Sequence, residues 1–484
     1  MLVSRYSKPE FDPYQNDDLV LEIPDGPWSA PRAEGPLSST LRIPGSKSLT
    51  NRELVLSALA DGPSLLRSPL HSRDTALMVE ALRELGVVID EVPGDGEFGA
   101  DWRVTPQELT GGTTIDCGLA GTVMRFVPPV AALALGPVAF DGDAHARKRP
   151  MRATITALRS LGVDVTDDGR GALPFSLYGM GRIAGGELEV DASESSQFVS
   201  AFLLVAARFE EGLTLRHTGD TLPSVPHIQM TVAALAARGV SVSNPAPGVW
   251  IVPPGAIRGR DVDIEPDLSN AAPFLAAALI AGGTVTIEDW PESTTQVGAQ
   301  LDRLLALFGA QARRSGTSFT IDGGKGALGG GALPGIELDL SEGGELAPAL
   351  VAVAALADSP SRITGIGHLR GHETDRLAAL AAELSALGGS VTELEDGLAI
   401  EPKPLHGGVW HTYGDHRMAT AGAIIGLAVD GIEIEDIATT AKTLPEFSEL
   451  WQELVHPRGG SGSDSTDPGS ASSVSFDPFS LGLG

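Results

Sequence analysis

The run Ser46-Lys47-Ser48-Leu49-Thr50-Asn51-Arg52 sets two cations and three hydroxyls within seven residues, a set suited to gripping a phosphate or a carboxylate. Ahead of it Leu41-Arg42-Ile43 alternates as a short strand does, and Pro44-Gly45 breaks that strand. The apolar run Leu54 to Ala60 follows, so the spacing predicts a helix that begins near Ser46 to Ser48. The first N–H groups of a helix lack internal partners and carry about half a positive charge, which favours an anion by roughly 0.3–2 kcal/mol. The stretch has neither the Gly-Lys-Ser/Thr of a nucleotide-binding P-loop nor the glycine that precedes it there.

Comparable groups stand ahead of further apolar runs: Gly121, Thr122 and Arg125; Ser195, Ser196 and Gln197; Asp267 and Asn270; Glu342 and Glu345; Asp415, His416 and Arg417. The basic string Arg147-Lys148-Arg149 follows the second run, His372-Glu373-Thr374-Asp375-Arg376 the fifth, and Lys442 the sixth. Any one of these is most simply a helix cap or a solvated surface run. Seven cations at equivalent points of a repeat (Lys47, Arg52, Arg125, Arg149, Arg376, Arg417 and Lys442) point instead to one shared anion-binding cleft.

The repeat itself is legible in the apolar helices, which recur after Asn51, Thr122, Gln197, Asn270, Glu345 and Arg417 at spacings of 71, 75, 73, 75 and 72 residues. A second, amphipathic helix type stops at Gly86, Gly162, Gly239, Gly309 and Gly388, each followed by a short alternating strand. Six α/β units of two helices and several strands are expected to stack as two lobes of three. Helices apolar on every side must form the lobe interiors. Other motifs carry little: Gly94, Gly96 and Gly99 spell a dinucleotide loop but precede a strand. His368 and His372 have helical spacing beside Glu373 but lack the order of a zinc motif, so no metal is expected.

The chain has 484 residues and a formal net charge of −29, which repels nucleic acid and anionic membranes. Its single cysteine, Cys117, allows no internal disulfide and reads as a small buried residue in a reducing, cytoplasmic setting. Residues 1–35 show no signal-peptide core, and no apolar stretch is of membrane-spanning length. The Pro-rich, acidic start and the Gly/Ser-rich end read as disordered extensions, residues 1–31 and 457–484.

Read in order, PGSKSLTNRELVLSALADG, LAGTVMRF, RKRPM, SSQFVSAFLLVA, HLRGHETDR, YGDHRMA and KTLPEF resemble the motifs of the 5-enolpyruvylshikimate-3-phosphate synthase family, from about Leu41 to Trp451. The resemblance implies an enolpyruvyl transferase fold of two lobes, each of three βαβαββ-like units, closing over the substrates. It implies lobe one from 32–46 plus 266–456 and lobe two from 47–265. The implied reaction passes the enolpyruvyl group of phosphoenolpyruvate to the 5-hydroxyl of shikimate 3-phosphate, in a monomer without metal or cofactor.

By the same resemblance Ser48, Arg52, Ser195, Ser196, Gln197 and Ser224 contact shikimate 3-phosphate. Arg125, Arg149, Arg376, Arg417 and Lys442 form the phosphoenolpyruvate cage, with Gly121 and Thr122 bringing backbone close and Lys47 touching both substrates. Glu345 is the expected base at the hydroxyl, and Glu373 the acid at the methylene carbon, with Lys47 sharing proton transfer. Gly121 stands where a methyl group would crowd a phosphonate such as glyphosate.

Departures from the family pattern are Glu345 for Asp, His372 for Lys, Leu119 and His368 for Asn, His227 for Tyr and Phe126 for Pro. His372 is expected to be partly protonated beside Glu373 and Asp375, which would bring activity down early on the alkaline side. Three rivals remain at this point: a transferase acting on UDP-N-acetylglucosamine, an anion-binding paralogue without catalysis, and a nucleic-acid end-processing enzyme of related fold.

Overall fold

Each repeat folds around one small sheet because its strands are too short to build a large one. The structure, a computed structural model, describes residues 26–457. It contains five four-stranded sheets and one of three strands. Each four-stranded sheet has a parallel edge pair and then two antiparallel neighbours, as in Gly186–Val190, Leu213–His217, Val249–Val252 and Ser243–Ala246. The five amphipathic helices stop at Gly86, Gly162, Gly239, Gly309 and Gly388, all at positive φ, as their sequence signals predict.

Six apolar helices fill the interior. Lys47–Ala58, Gly121–Ala131 and Gln197–Ala206 lie in one apolar cluster, which runs from Leu54 to Ile257. Leu268–Ala281, Ala347–Ala355 and His416–Ala428 lie in the other, which joins Trp28 to Ile43 with Leu268 to Val455. Every residue of Gly121–Ala131 and of Leu268–Ala281 is buried, as helices apolar on all sides require. Three units per lobe, two lobes, is the architecture.

The first strand differs from expectation. It is Leu37–Leu41, not Leu41 to Ile43, and it pairs in parallel with Gly283–Ile287, a strand of the fourth repeat. In exchange, Val262–Asp263 pairs in parallel with Ser64–Arg67 of the first. The chain thus crosses between lobes twice, and the two crossings touch. Ser46 N donates to Glu265 O at 2.7 Å, and Asp267 N to Pro44 O at 2.9 Å. Gly45 lets the crossing also lie against Ser68, since a Cβ there would overlap the Ser68 carbonyl oxygen.

The N-terminal extension is also shorter than expected. Trp28–Ser29 is a strand antiparallel to Ile432–Ile434, and Trp28 is only 6% exposed because its indole packs into the lobe core. Residues 1–25 and 458–484, where the rest of the two extensions was expected, lie outside the described residues.

Within lobe two a buried ion pair ties the first repeat to the third. Arg238 Nη2 and Nε donate to Glu53 Oε2 at 2.7 and 2.9 Å, and Arg238 also donates to Ser57 Oγ and to the Arg258 carbonyl. Arg238→Ala strands the Glu53 carboxylate inside the lobe. It is expected to lower stability by about 3–5 kcal/mol, read as a lower urea midpoint. A midpoint unchanged from wild type would show that water reaches Glu53.

Candidate active site

The starts of the six interior helices converge on one cleft of about 1100 Å³, its mouth included. Lys47, Ser48, Gly121, Thr122, Arg125, Arg149, Ser195, Ser196, Gln197, Ser224, Glu345, His372, Glu373, Arg376 and Arg417 all line it. The lobes also touch across it: Ser224 N donates to Ser341 O at 3.2 Å, and Lys442 Nζ to Leu119 O at 3.3 Å.

Two predicted contacts stand behind the wall. Arg52 is 1% exposed and spends its guanidinium on the Ser48 and His227 carbonyls and Thr231 Oγ1, with Phe126 beneath it at 5.3 Å. Burial brings it down to about 10, still fully charged at neutral pH. Lys442 lies 2.8 Å from Glu373 Oε1. Both shape the lining rather than form it.

The anion seat expected at the first helix is largely taken. Asp267 Oδ2 accepts from Lys47 N at 3.1 Å, and Ser46 Oγ caps Leu49 N. Asp267 and Asp415 likewise cap their own helices in lobe one. In lobe two the helix that begins at Gly121 has no side-chain cap, while the one that begins at Gln197 is met by Ser195 Oγ at 3.3 Å, and both starts line the cleft.

The cations fall into two groups. Lys47 pairs with Asp74 at 3.3 Å, Arg376 with Asp415 at 2.8 Å and Lys442 with Glu373. Among the described residues, no carboxylate lies within 4.0 Å of Arg125, Arg149 or Arg417. Arg125 donates to Gln197 Oε1 at 3.1 Å and Arg149 to Leu119 O at 2.9 Å, while the buried Nε of each has no partner. Burial pulls both guanidiniums down, and Arg125 further because Arg149 repels it. Because Arg149 and Lys442 both use the Leu119 carbonyl, that position serves through its backbone whatever its side chain. A Cβ on Gly121 would stand 2.8 Å from Arg125 Nη1 and 2.9 Å from Arg149 Nη2, so glycine there leaves the two forks free.

Both candidate acid–base groups are ionised. Burial pushes Glu345 up, but His227, Arg417 and Ser269 outweigh it, and the carboxyl falls well below its usual range. Glu373 is likewise pushed up by burial and drawn well below its usual range by His416, Lys442 and Arg376. His416 Nδ1 lies 2.9 Å from Glu373 Oε2. Glu373, Asp415 and His416 come close enough for a metal, yet Lys442 and Arg376 already neutralise the two carboxylates.

The expectation of a partly protonated His372 is overturned. Burial lowers it well below its ordinary value, and the nearby Arg376, His368, Arg149 and Arg125 lower it further, so the ring is neutral. Asp375 is turned away: it caps the Arg376–Ala386 helix and pairs with Arg370. His368 and His372 are not neighbours on an α-helix either. Gly367–Gly371 is a 3₁₀ turn, and the two rings meet edge to face at 5.7 Å.

Sequence reading passed over four groups of this site. Asp74 sits in an amphipathic helix, Ser269 is the second residue of an interior helix, His227 counted only as a departure, and His368 as a departure and half of a discounted zinc pair. His227 Nε2 meets Glu345 Oε2 at 2.6 Å, a pairing across 118 residues that no local pattern announces.

Burial lowers His368, to about 4, along with His372 and His416, while an unfolded histidine titrates near 6.5. These groups leave stability whole above about pH 6.5 and remove it as pH falls, because the unfolded chain then binds protons the folded one refuses. The denaturation midpoint is expected to fall between pH 6.5 and 5, a window above the range of the depressed carboxylates. His372→Gln should flatten that slope. An unchanged slope would mean that the ring already carries a proton when folded.

The chain matches the family model of EPSP synthase (3-phosphoshikimate 1-carboxyvinyltransferase) over residues 31–451. A 3-phosphoshikimate 1-carboxyvinyltransferase of Kocuria rhizophila is 56% identical over 441 residues, 90% of this chain and 98% of that one. A solved EPSP synthase from Acinetobacter baumannii superposes with a TM-score of 0.72 at 25% identity, covering 89% of this chain and 98% of its own. The enolpyruvyl transferase NikO from Streptomyces tendae shares the fold, with a TM-score of 0.68 at 20% identity and the same coverage. With a family match along nearly all the described residues and a relative more than half identical over its whole length, the chain belongs to the EPSP synthase family.

Proposed function

We propose that this protein transfers the enolpyruvyl group of phosphoenolpyruvate to the 5-hydroxyl of shikimate 3-phosphate and releases phosphate, a step of aromatic amino acid biosynthesis. The observation that carries the reading is the pair Arg125 and Arg149, two buried guanidiniums with no carboxylate against them. An anion between the forks would offset the cost of burying both, and planar forks suit a phosphate or a carboxylate.

Phosphoenolpyruvate lies against Arg125, Arg149, Arg376 and Arg417, with Lys442 behind and the open helix start at Gly121 and Thr122 beside it. A phosphonate such as glyphosate would use the same forks. Shikimate 3-phosphate is held by Ser48, Ser195, Ser196, Gln197 and Ser224, while Arg52 fixes the wall, Lys47 lies between the substrates and His372 adds a neutral donor. Glu345, an anion facing the cleft, takes the proton as the 5-hydroxyl oxygen bonds to C2 of phosphoenolpyruvate. The methylene carbon gains a proton from Glu373, relayed with Lys47. Loss of that proton and of phosphate from the tetrahedral intermediate restores the double bond.

Glu373 as it stands is a carboxylate and cannot yet donate. The incoming phosphate supplies the counter-charge that Lys442, Arg376 and Arg149 now direct at Glu373, and so raises its proton affinity. Substrate binding arms the acid. Holding both substrates in register accounts for up to roughly 7–11 kcal/mol of the barrier.

The lobes assigned to this motion are 32–46 plus 266–456 and 47–265, hinged where Pro44 to Ser46 cross Glu265 to Asp267. Trp28–Ser29 belongs with the first. One chain carries a complete cleft, so a monomer suffices. Ionised phosphate esters as substrates fit a cytoplasmic enzyme, and among the described residues no helix is long and apolar enough to cross a membrane.

The test is phosphate release from phosphoenolpyruvate with shikimate 3-phosphate or UDP-N-acetylglucosamine as acceptor. Release is expected only with the first. Glu345→Gln is expected to cut turnover about 10²–10⁴-fold while acceptor affinity stays within a few-fold. Release only with the nucleotide sugar, or with neither acceptor, would overturn the reading.

A further inference from the structure

We infer that His227 is a positioning residue for Glu345, reaching from the opposite lobe to lock the carboxylate that receives the acceptor's proton. The inference rests on the reaction proposed above. His227 Nε2 lies 2.6 Å from Glu345 Oε2, and Ser269 Oγ donates to Glu345 Oε1. An ionised carboxylate only accepts, so Nε2 carries the hydrogen. With one donor on each oxygen, the carboxylate plane is fixed, and the second lone pair of each oxygen stays available to a substrate hydroxyl.

The two donors come from different lobes. Ser269 sits in the first turn of Leu268–Ala281, and His227 in the first turn of Val225–Ala237. The backbone behind His227 is itself held, since its carbonyl accepts from Arg52 Nη2 at 3.0 Å and from Thr231 Oγ1 at 3.1 Å. Buried Arg52, which does not line the cleft, thereby acquires a purpose. Ser224, at φ 52°, turns the chain into the same helix and donates to Ser341 O, four residues before Glu345. The same two segments therefore meet twice across the cleft. A Glu side chain has three torsions to fix, and a donor from one lobe alone would leave the carboxylate loose until the lobes meet. The pairing makes the base competent only in the closed cleft.

Other charges also face Glu345: Arg417 from the sixth interior helix, Arg52 from the first, and Arg376 from the segment after the fifth, where His368, lowered to about 4, stands neutral beside it. These cations keep Glu345 ionised at neutral pH without His227, so loss of the imidazole shows on the acid limb. A carboxylate that loses a donor binds its proton more tightly, and its limb moves to higher pH.

The experiment compares wild type, His227→Phe and His227→Gln in kcat against pH with both substrates saturating. His227→Phe is expected to lower kcat about 10- to 100-fold and move the acid limb up by about one pH unit, with phosphoenolpyruvate KM within about 3-fold. His227→Gln keeps an N–H donor and should return the limb and most of kcat. Equal losses in both variants with an unmoved limb would overturn the inference, as would a raised shikimate 3-phosphate KM at unchanged kcat. A substrate-free readout separates this from the reaction itself. In protein carrying ¹³C-labelled glutamate carboxyls, with the Glu345 signal assigned by Glu345→Gln, its midpoint should rise in His227→Phe. If it does not, the pairing is absent, whatever the wild type catalyses.

Discussion

The structure depends on one electrostatic constraint: Arg125 and Arg149 are buried side by side, and among the described residues no carboxylate forms an ion pair with either, Glu194, Glu373, Asp74 and Asp415 acting only from farther off. Burial and mutual repulsion both act against such an arrangement, so the surrounding fold must hold it in place. It does so with backbone and packing: the Gly121 and Leu119 carbonyls, Gln197 and the ring of Phe198 each occupy part of the two guanidiniums. What remains unpaired faces the cleft. The protein stores an anion's binding energy as an incomplete charge pattern.

That pattern is divided between the lobes. Lobe two supplies an uncapped helix start at Gly121, and at Gln197 one whose first N–H is met by Ser195 Oγ. Lobe one supplies most of the carboxylates, each already engaged: Asp267 and Asp415 as caps, Glu373 with Lys442 and His416, and Glu345 with His227 and Ser269, while Asp74 and Glu194 line the cleft from lobe two. The cations are shared between the walls, Arg125 and Arg149 on one and Arg376 and Arg417 on the other, whereas Glu345 and Glu373 stand on one wall alone, so the proposed chemistry requires the walls to meet. The paired crossings at Pro44 to Ser46 and Glu265 to Asp267 are the only covalent links between those walls among the described residues, and they are bonded to each other.

Much of this was legible in the sequence, for a physical reason. A helix buried on all sides needs an unbroken apolar run, so Leu268–Ala281 and its five counterparts stand out and fix the repeat. Residues at the start of such runs lie at the cleft, which accounts for ten of the fifteen predicted site residues that line it; Arg149, Ser224, His372, Glu373 and Arg376 lie elsewhere in their repeats. The failures are non-local. Exchange of Leu37–Leu41 and Val262–Asp263 between lobes rests on strand pairing over more than 150 residues, which short strands do not advertise. The charge state of His372 depends first on its burial and then on arginines from the second and fifth repeats, not on the acids adjacent in sequence. Arg52 faces inward because the His227 carbonyl is there to meet it.

The central claim is that the substrates' charge completes the cage and thereby protonates the acid. Proton linkage tests it directly, by calorimetry at pH 8 in buffers of different ionisation heat, using Glu345→Gln so that binding is read before the slowed turnover. Phosphate esters are then fully ionised, their second pKa being about 6, and bring no proton to lose. Binding of phosphoenolpyruvate to the shikimate 3-phosphate complex is predicted to draw protons from the buffer, as Glu373 loses the undivided field of Lys442 and Arg376. Zero net uptake, or release, would mean that the acid is not armed by its substrate, and would contradict the account.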